Sequence, residues 1–219
     1  MVRRFAWLLV LSLIAAAFAS AEYKVLILLG DSYAEAEAEF IKSLTKIGEY
    51  TFSYDVVKIN PDQNNRGWAD AEDLSQLSEA EIAATLAQVD IVYFTWNGPG
   101  HDGGYFMKGT EKPFRDWVKN GGVVWVDAFD DNFRDDQGNQ IGGWWPIDEY
   151  PAAIANTGDS DVEITPEGDA SGLFSKPNAV DVNAITLDDN FTDMAPEYVV
   201  LANRTDGKGA AAIKLAYGA

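Results

Sequence analysis

Three short apolar runs, each closed by a chain-breaking or acidic stretch, constrain this sequence more than any other feature. Lys24–Leu29 (KVLILL) ends at Gly30-Asp31-Ser32, Asp90–Trp96 (DIVYFTW) ends at Asn97-Gly98-Pro99-Gly100, and Val123–Val126 (VVWV) runs into Asp127. Runs this continuous in apolar character belong to strands covered on both faces, which is the situation in a parallel sheet. Helical patterns lie between them. Tyr33–Ile47 puts Phe40, Ile41, Leu44 and Ile47 on one face, and Gly48 stops it. Phe52–Ile59 alternates as a further strand. Ser78–Ala87 opens with Ser78-Glu79-Ala80-Glu81, the pattern of a capping box. Lys112–Lys119 turns Phe114, Trp117 and Val118 inward and ends at Asn120-Gly121-Gly122. Three strand–helix–strand units in series predict an α/β fold: an open, mainly parallel twisted sheet with helices on both faces and right-handed crossovers.

The pattern changes near Asp130. From there to Ser171 the chain is acidic, rich in Gly and Asn, and almost without periodicity, so loops, a short helix and a hairpin are expected. Tyr198–Ala202 and Ala210–Ala216 read as two more strands joined by Asn203–Gly209. No repeat and no long linker divides residues 22–219, which are expected to form one domain. The last residues, Ala216-Tyr217-Gly218-Ala219, read as the beginning of a turn, the ending of a truncated reading frame.

The first 21 residues have a different character. Arg3 and Arg4 precede an apolar run from Phe5 to Phe18, and Ala19-Ser20-Ala21 has the small-x-small pattern of a signal-peptidase site. The run is short of the roughly 20 residues that span a bilayer. The leader therefore reads as a signal peptide, and the mature chain as secreted or periplasmic, with no integral membrane segment. Formal charge is −19 for the full chain, and it becomes two units more negative when Arg3 and Arg4 leave with the leader. Such a field repels phosphate backbones, which argues against nucleic acid as a partner. The sequence has no cysteine and one histidine, His101. Disulfides, thiol nucleophiles and zinc–thiolate sites are excluded together.

The order strand, helix, strand, then an apolar strand ending in NGPG, then a helix and a Gly-Gly-led strand, resembles the class I glutamine amidotransferase-like superfamily, whose sheet is flavodoxin-like. The likeness runs from about Lys24 to Asp130. Within it FRDWVKNGGVVWVDAF, and later LAN followed by DGKGAAAIKLAYG, are most similar to the ThuA-like branch associated with trehalose utilisation and to related secreted domains. The resemblance implies that NGPG stands where those enzymes hold an oxyanion on backbone N–H groups. It also implies a nucleophile turn after VVWV, at Asp127 or Ala128. The thiol and the later histidine that glutamine hydrolysis needs are both missing, so glutaminase activity is excluded on residue inventory.

Ligands of open parallel sheets bind beyond the carboxyl ends of the strands. The residues expected there are Asp31, Trp96, Asn97, Gly98, Gly100, His101 and Asp127. Acceptors, backbone donors, an imidazole and an aromatic face suit a small polar ligand such as a sugar. His101 reads equally well as an ordinary loop histidine. Asp127, directly after VVWV, is costly to bury without a partner. The run Asp127, Asp130, Asp131, Asp135, Asp136 offers oxygen ligands of the kind calcium takes. Its spacing does not fit an EF-hand loop, and Asp136–Asn139 reads as a hairpin turn, so no metal is assigned; nor is any cofactor or catalytic residue. Trp144-Trp145 before Pro146 reads as a plug over the core.

The expectation is an exported, catalytically diverged domain that binds a carbohydrate-derived ligand. Two alternatives stand beside it. One is a carboxylate- or metal-dependent hydrolase acting on carbohydrate, with Asp127 and either Asp31 or Asp130 as acid and base. The other is an interaction module of a larger secreted protein. Intact-mass measurement of the exported protein is expected to give a chain beginning at Glu22. A mass that retains residues 1–21 would refute the leader assignment.

Overall fold

The computed structural model describes residues 22–30, 34–59, 70, 72, 74–95, 111–126, 150, 152–176 and 179–218. In chain order the elements are β1 (Glu22–Leu29), α1 (Glu35–Ser43), β2 (Lys46–Ile47), β3 (Tyr50–Lys58), α2 (Glu79–Leu86), β4 (Ile91–Phe94), α3 (Glu111–Lys119) and β5 (Val123–Val126), followed by β6 (Ala153–Ile164), α4 (Pro166–Ser171), β7 (Thr186–Thr192), β8 (Val199–Arg204) and β9 (Ala210–Lys214).

They form two sheets. The first has the order β2-β3-β1-β4-β5, and the second is a closed barrel, β6-β7-β9-β8. In the first sheet β1 pairs parallel with β3 and with β4, and β4 pairs parallel with β5. Strand β2 runs antiparallel along the start of β3. Every described pairing in the barrel is antiparallel.

The expected open, mainly parallel sheet with helices on both faces is overturned by this topology. The first sheet is mixed, and the chain after Ala153 builds a separate closed antiparallel barrel. The reason lies in what the barrel strands bury. Strand β6 buries Ile154, Ser160 and Val162, β7 buries Asn190, and β8 buries Leu201, Ala202 and Arg204. Because polar Ser160, Asn190 and Arg204 are buried among the aliphatic residues, the strands show no run of alternating large hydrophobics, and β6 reads as a loop although it is a 12-residue strand.

Two apolar clusters flank β1. Leu26 and Leu28 pack with Val92 and Phe94 of β4, Ile82 and Leu86 of α2, and Phe114 of α3. Ile154 belongs to the same cluster and Phe191 packs against it, so the barrel shares core with the first sheet. Val25, Ile27 and Leu29 point the other way, against Ala34 and Ala38. Helix α2 carries the expected capping box: the Ser78 hydroxyl accepts the Glu81 N–H at 3.3 Å, and the Glu81 carboxylate accepts the Ser78 N–H at 2.8 Å. Helix α1 differs from its sequence reading. It stops at Ser43 and Phe40 is 63% exposed, while Ile41 packs as expected, beside Ala34 and Ala38. Ile47 leaves the helical pattern to pair with Tyr50 across a tight turn, where Gly48 holds a φ of +62°.

Barrel closure depends on Arg204, which is 1% exposed. Its Nε and Nη2 donate to the two carboxylate oxygens of Asp206 at 3.0 and 2.8 Å. Nη1 donates to the carbonyls of Leu187 and Asp188, both at 3.0 Å, and Nη2 also reaches the carbonyl of Gly158. All five N–H donors of a guanidinium are thereby used. One side chain on β8 thus fastens β7 and the bulge of β6, where pairing shifts register between Asn156 and Ser160. Helix α4 closes against β8 through Gly168, where a Cβ would lie 1.9 Å from the Leu201 carbonyl oxygen.

The hydrogen bonds from Arg204, with help from Lys208, hold the Asp206 carboxyl far below the usual carboxylate range. A carboxylate whose folded pKa is depressed stabilises the fold above its unfolded pKa, roughly 3.9, and loses that contribution as pH falls towards the folded value. The Asp206→Asn variant is expected to melt below wild type at neutral pH, with the gap narrowing below about pH 4. Paired thermal melts across that range check this. A gap independent of pH would contradict it.

Candidate functional site

The three apolar strands that opened the sequence reading end at one edge of the first sheet. Leu28 of β1 is level with Phe94 of β4, and Phe94 is level with Val126 of β5. Just past the last of these rungs, a side chain takes over the pairing. The Thr95 backbone N–H donates to the Leu28 carbonyl at 3.2 Å. The Thr95 hydroxyl donates to that same carbonyl at 3.2 Å and accepts the Gly30 N–H at 3.0 Å. Thr95 is fully buried and Gly30 is buried, so water does not substitute for either bond. On the other side of β1, the Ile59 N–H donates to the Leu29 carbonyl at 3.0 Å, carrying β3 past its last rung in the same way.

Other polar contacts brace this region. The Tyr93 hydroxyl donates to the Glu37 carboxylate at 2.6 Å, linking β4 to α1. Beyond the end of β3, the Glu72 N–H donates to the Lys58 carbonyl at 2.8 Å. Lys58 Nζ stands 3.4 Å from Asp70 in an exposed ion pair, which adds little to stability. At the opposite end of the strands, Asp90 secures β1: its carboxylate accepts the Lys24 N–H at 2.9 Å, and its own N–H donates to the Lys24 carbonyl at 2.9 Å.

The sequence-predicted site residues Asp31, Trp96, Asn97, Gly98, Gly100, His101 and Asp127 all lie outside the described residues, as do the acidic run Asp127–Asp136 and Trp144-Trp145. Their chain neighbours Gly30, Thr95 and Val126 are described, and they stand at the common edge. Among the described residues, no three of His, Cys, Asp and Glu gather as a metal site would require. No described helix is long and apolar enough to cross a membrane. Sequence reasoning passed over Thr95. Its signal was present: it is the one aliphatic hydroxyl within the run IVYFTW that follows Asp90.

Comparison of the chain with protein-family models, with curated proteins and with solved structures finds no match. The geometry of the edge is therefore what bears on function.

Replacing Thr95 by the isosteric valine removes the hydroxyl and leaves the buried Gly30 N–H without that acceptor. Thr95→Val is expected to lose about 1–3 kcal/mol in urea unfolding. A loss within about 0.5 kcal/mol, the ordinary scatter of surface substitutions, would contradict the tie.

Proposed function

We propose that this protein is an exported binding domain that takes a small polar, carbohydrate-derived ligand at the edge where β1, β4 and β5 end, and that it has no glutaminase activity. The supporting observation is the shared level of Leu28, Phe94 and Val126, extended by the Thr95–Gly30 tie. Parallel strands that finish together deliver their following loops to one place, where ligands of such sheets bind. The residues next along the chain supply chemistry suited to hydroxyl groups. Asp31 and Asp127 are acceptors, Asn97 offers both a donor and an acceptor, and His101 offers either according to tautomer. Trp96 supplies an aromatic face of the kind on which sugar rings stack.

The resemblance of NGPG and of FRDWVKNGGVVWVDAF to the amidotransferase-like, ThuA-like sequences supports the same edge as the working one, and the lack of cysteine argues against their acyl chemistry. A strongly acidic chain also suits a neutral ligand better than an anionic one.

The test is a thermal-shift panel of glucose, maltose, trehalose, sorbitol and inositol at millimolar concentration. At least one compound is expected to raise the melting temperature, with the shift abolished in Asp127→Asn and reduced in His101→Ala. Glutamine is expected to pass through unhydrolysed. Failure of every compound to shift the wild-type protein would sink the reading, and release of ammonia from glutamine by pure protein would overturn its second half.

A further inference from the structure

Strand β5 ends the first sheet, and it leaves that end open. The Val123 N–H donates to the Asp90 carbonyl at 3.1 Å, where the parallel register with β4 begins. Successive residues of a strand turn their N–H and C=O to opposite neighbours in alternation. Val123 and Trp125 therefore bond towards β4, and Val124 and Val126 turn their backbone groups outward. Among the described residues no strand lies beyond them. The side chains divide between the faces: Val124 and Val126 pack on the cluster that holds Phe94 and Phe114. Val123 and Trp125 stand on the other face, level with Ile91 and Tyr93, and are 50% and 43% exposed. Proteins ordinarily guard such an edge with charge, proline or a bulge. The opposite margin of this sheet carries Lys46 on β2 and Asp55 and Lys58 on β3. The β5 sequence, VVWV, has no guard other than its shortness. The chain's charge of −19 suits a basic partner, but the charge near β5 does not. Helix α3, which leads into β5, sets Lys112, Arg115 and Lys119 against Glu111 and Asp116. A neutral strand beside a helix with one excess positive charge lets two copies of an acidic chain approach with little repulsion.

We propose that β5 is a self-association edge whose occupant is the β5 of a second copy, paired antiparallel about a two-fold axis at Val124. This inference stands apart from the ligand reading. The register follows from which groups are free. Val124 faces Val124, and since its N–H and C=O both point outward, the two residues exchange N–H···O bonds in both directions. Val123 of each copy stands opposite Trp125 of the other, an aromatic–β-branched pair formed twice by symmetry. With the axis normal to the sheet, these four side chains share one face and cover apolar surface that a single chain exposes. A one-residue slip would set outward backbone groups against inward ones. Centring the pair on Trp125 would extend it to the charged Asp127, whereas centring it on Val124 extends it to Gly122. A four-residue strand makes a small interface, of the weak and transient class.

The experiment is sedimentation velocity on the mature chain from about 5 to about 300 µM, with amide exchange measured at both ends of that range. Wild type is expected to pass from monomer to dimer, and the Val124 amide to gain protection as it does. Trp125→Lys is expected to weaken association by about tenfold or more. Val123→Lys replaces it if that variant does not fold. Phe40→Lys is the control: it places the same charge at an exposed apolar site on α1, which packs over β1, two strands in from the edge. Its association is expected to match wild type. The proposal is overturned if a dimer forms without protecting Val124, if Trp125→Lys associates as wild type does, or if Phe40→Lys loses as much. Wild type that stays monomeric throughout also overturns it. Protection of Val124 in that monomer by an added peptide of alternating threonine and valine would give the edge to a different chain.

Discussion

The described structure depends on the burial of β1 between β3 and β4. Its run Val25–Leu29 is no more than 5% exposed at any position, and its side chains alternate between the two apolar clusters. Each such residue contributes roughly 1.5–3 kcal/mol by leaving water. That gain requires neighbours on four sides: parallel strands on both edges, and side chains on both faces. The short strands β4 and β5 and the helices α2 and α3 follow as the means of supplying them. So does the role of small residues at and in α1, because Ala38 and the capping Ala34 let that segment lie close over Val25, Ile27 and Leu29.

The barrel solves a different problem. Its four strands bury Arg204, Ser160 and Asn190 together with Val162, Leu201 and two alanines. The ion pair to Asp206, whose side chain remains partly exposed, is a weak source of net stability, since desolvation of the buried guanidinium offsets much of the attraction. What the guanidinium supplies is geometry: its fixed fork accepts only one placement of the Gly158, Leu187 and Asp188 carbonyls and of Asp206. Ile154 and Phe191 then join the barrel to the first sheet's core. The C-terminal segment adds a polar and aromatic contact, with Lys119 Nζ 4.8 Å from the centre of the Tyr217 ring.

How much could be read beforehand follows from these two modes of burial. The strands at Lys24, Asp90 and Val123 were legible from their unbroken apolar runs. The coverage on both faces that those runs predict does not extend to β5, the edge strand, where Val123 is 50% and Trp125 43% exposed. The α2 cap was legible because Ser78 and Glu81 have a fixed spacing. The overall fold class was not legible, because the closed antiparallel barrel carries no such signal. Beyond Ala153 the strands bury Ser160, Asn190 and Arg204 among their aliphatic residues, which breaks the alternation that marks a strand. The pattern predicts too long an α1 because Ile47 fits a helical face and a strand equally well, and its pairing with Tyr50 decides the matter. Thr95 escaped because a lone threonine in an apolar run is read as filler; its partner Gly30 is 65 residues away in the chain.

Amide hydrogen exchange of β1 tests this account most directly. If β1 is the buried centre and the Thr95 hydroxyl extends its pairing, the amides of Ile27, Leu28 and Gly30 should exchange together, only through global unfolding. The amides of the edge strand β2 should exchange far faster. Exchange at Gly30 as fast as at Lys46, or β1 amides no slower than those of the strand edges, would contradict the account.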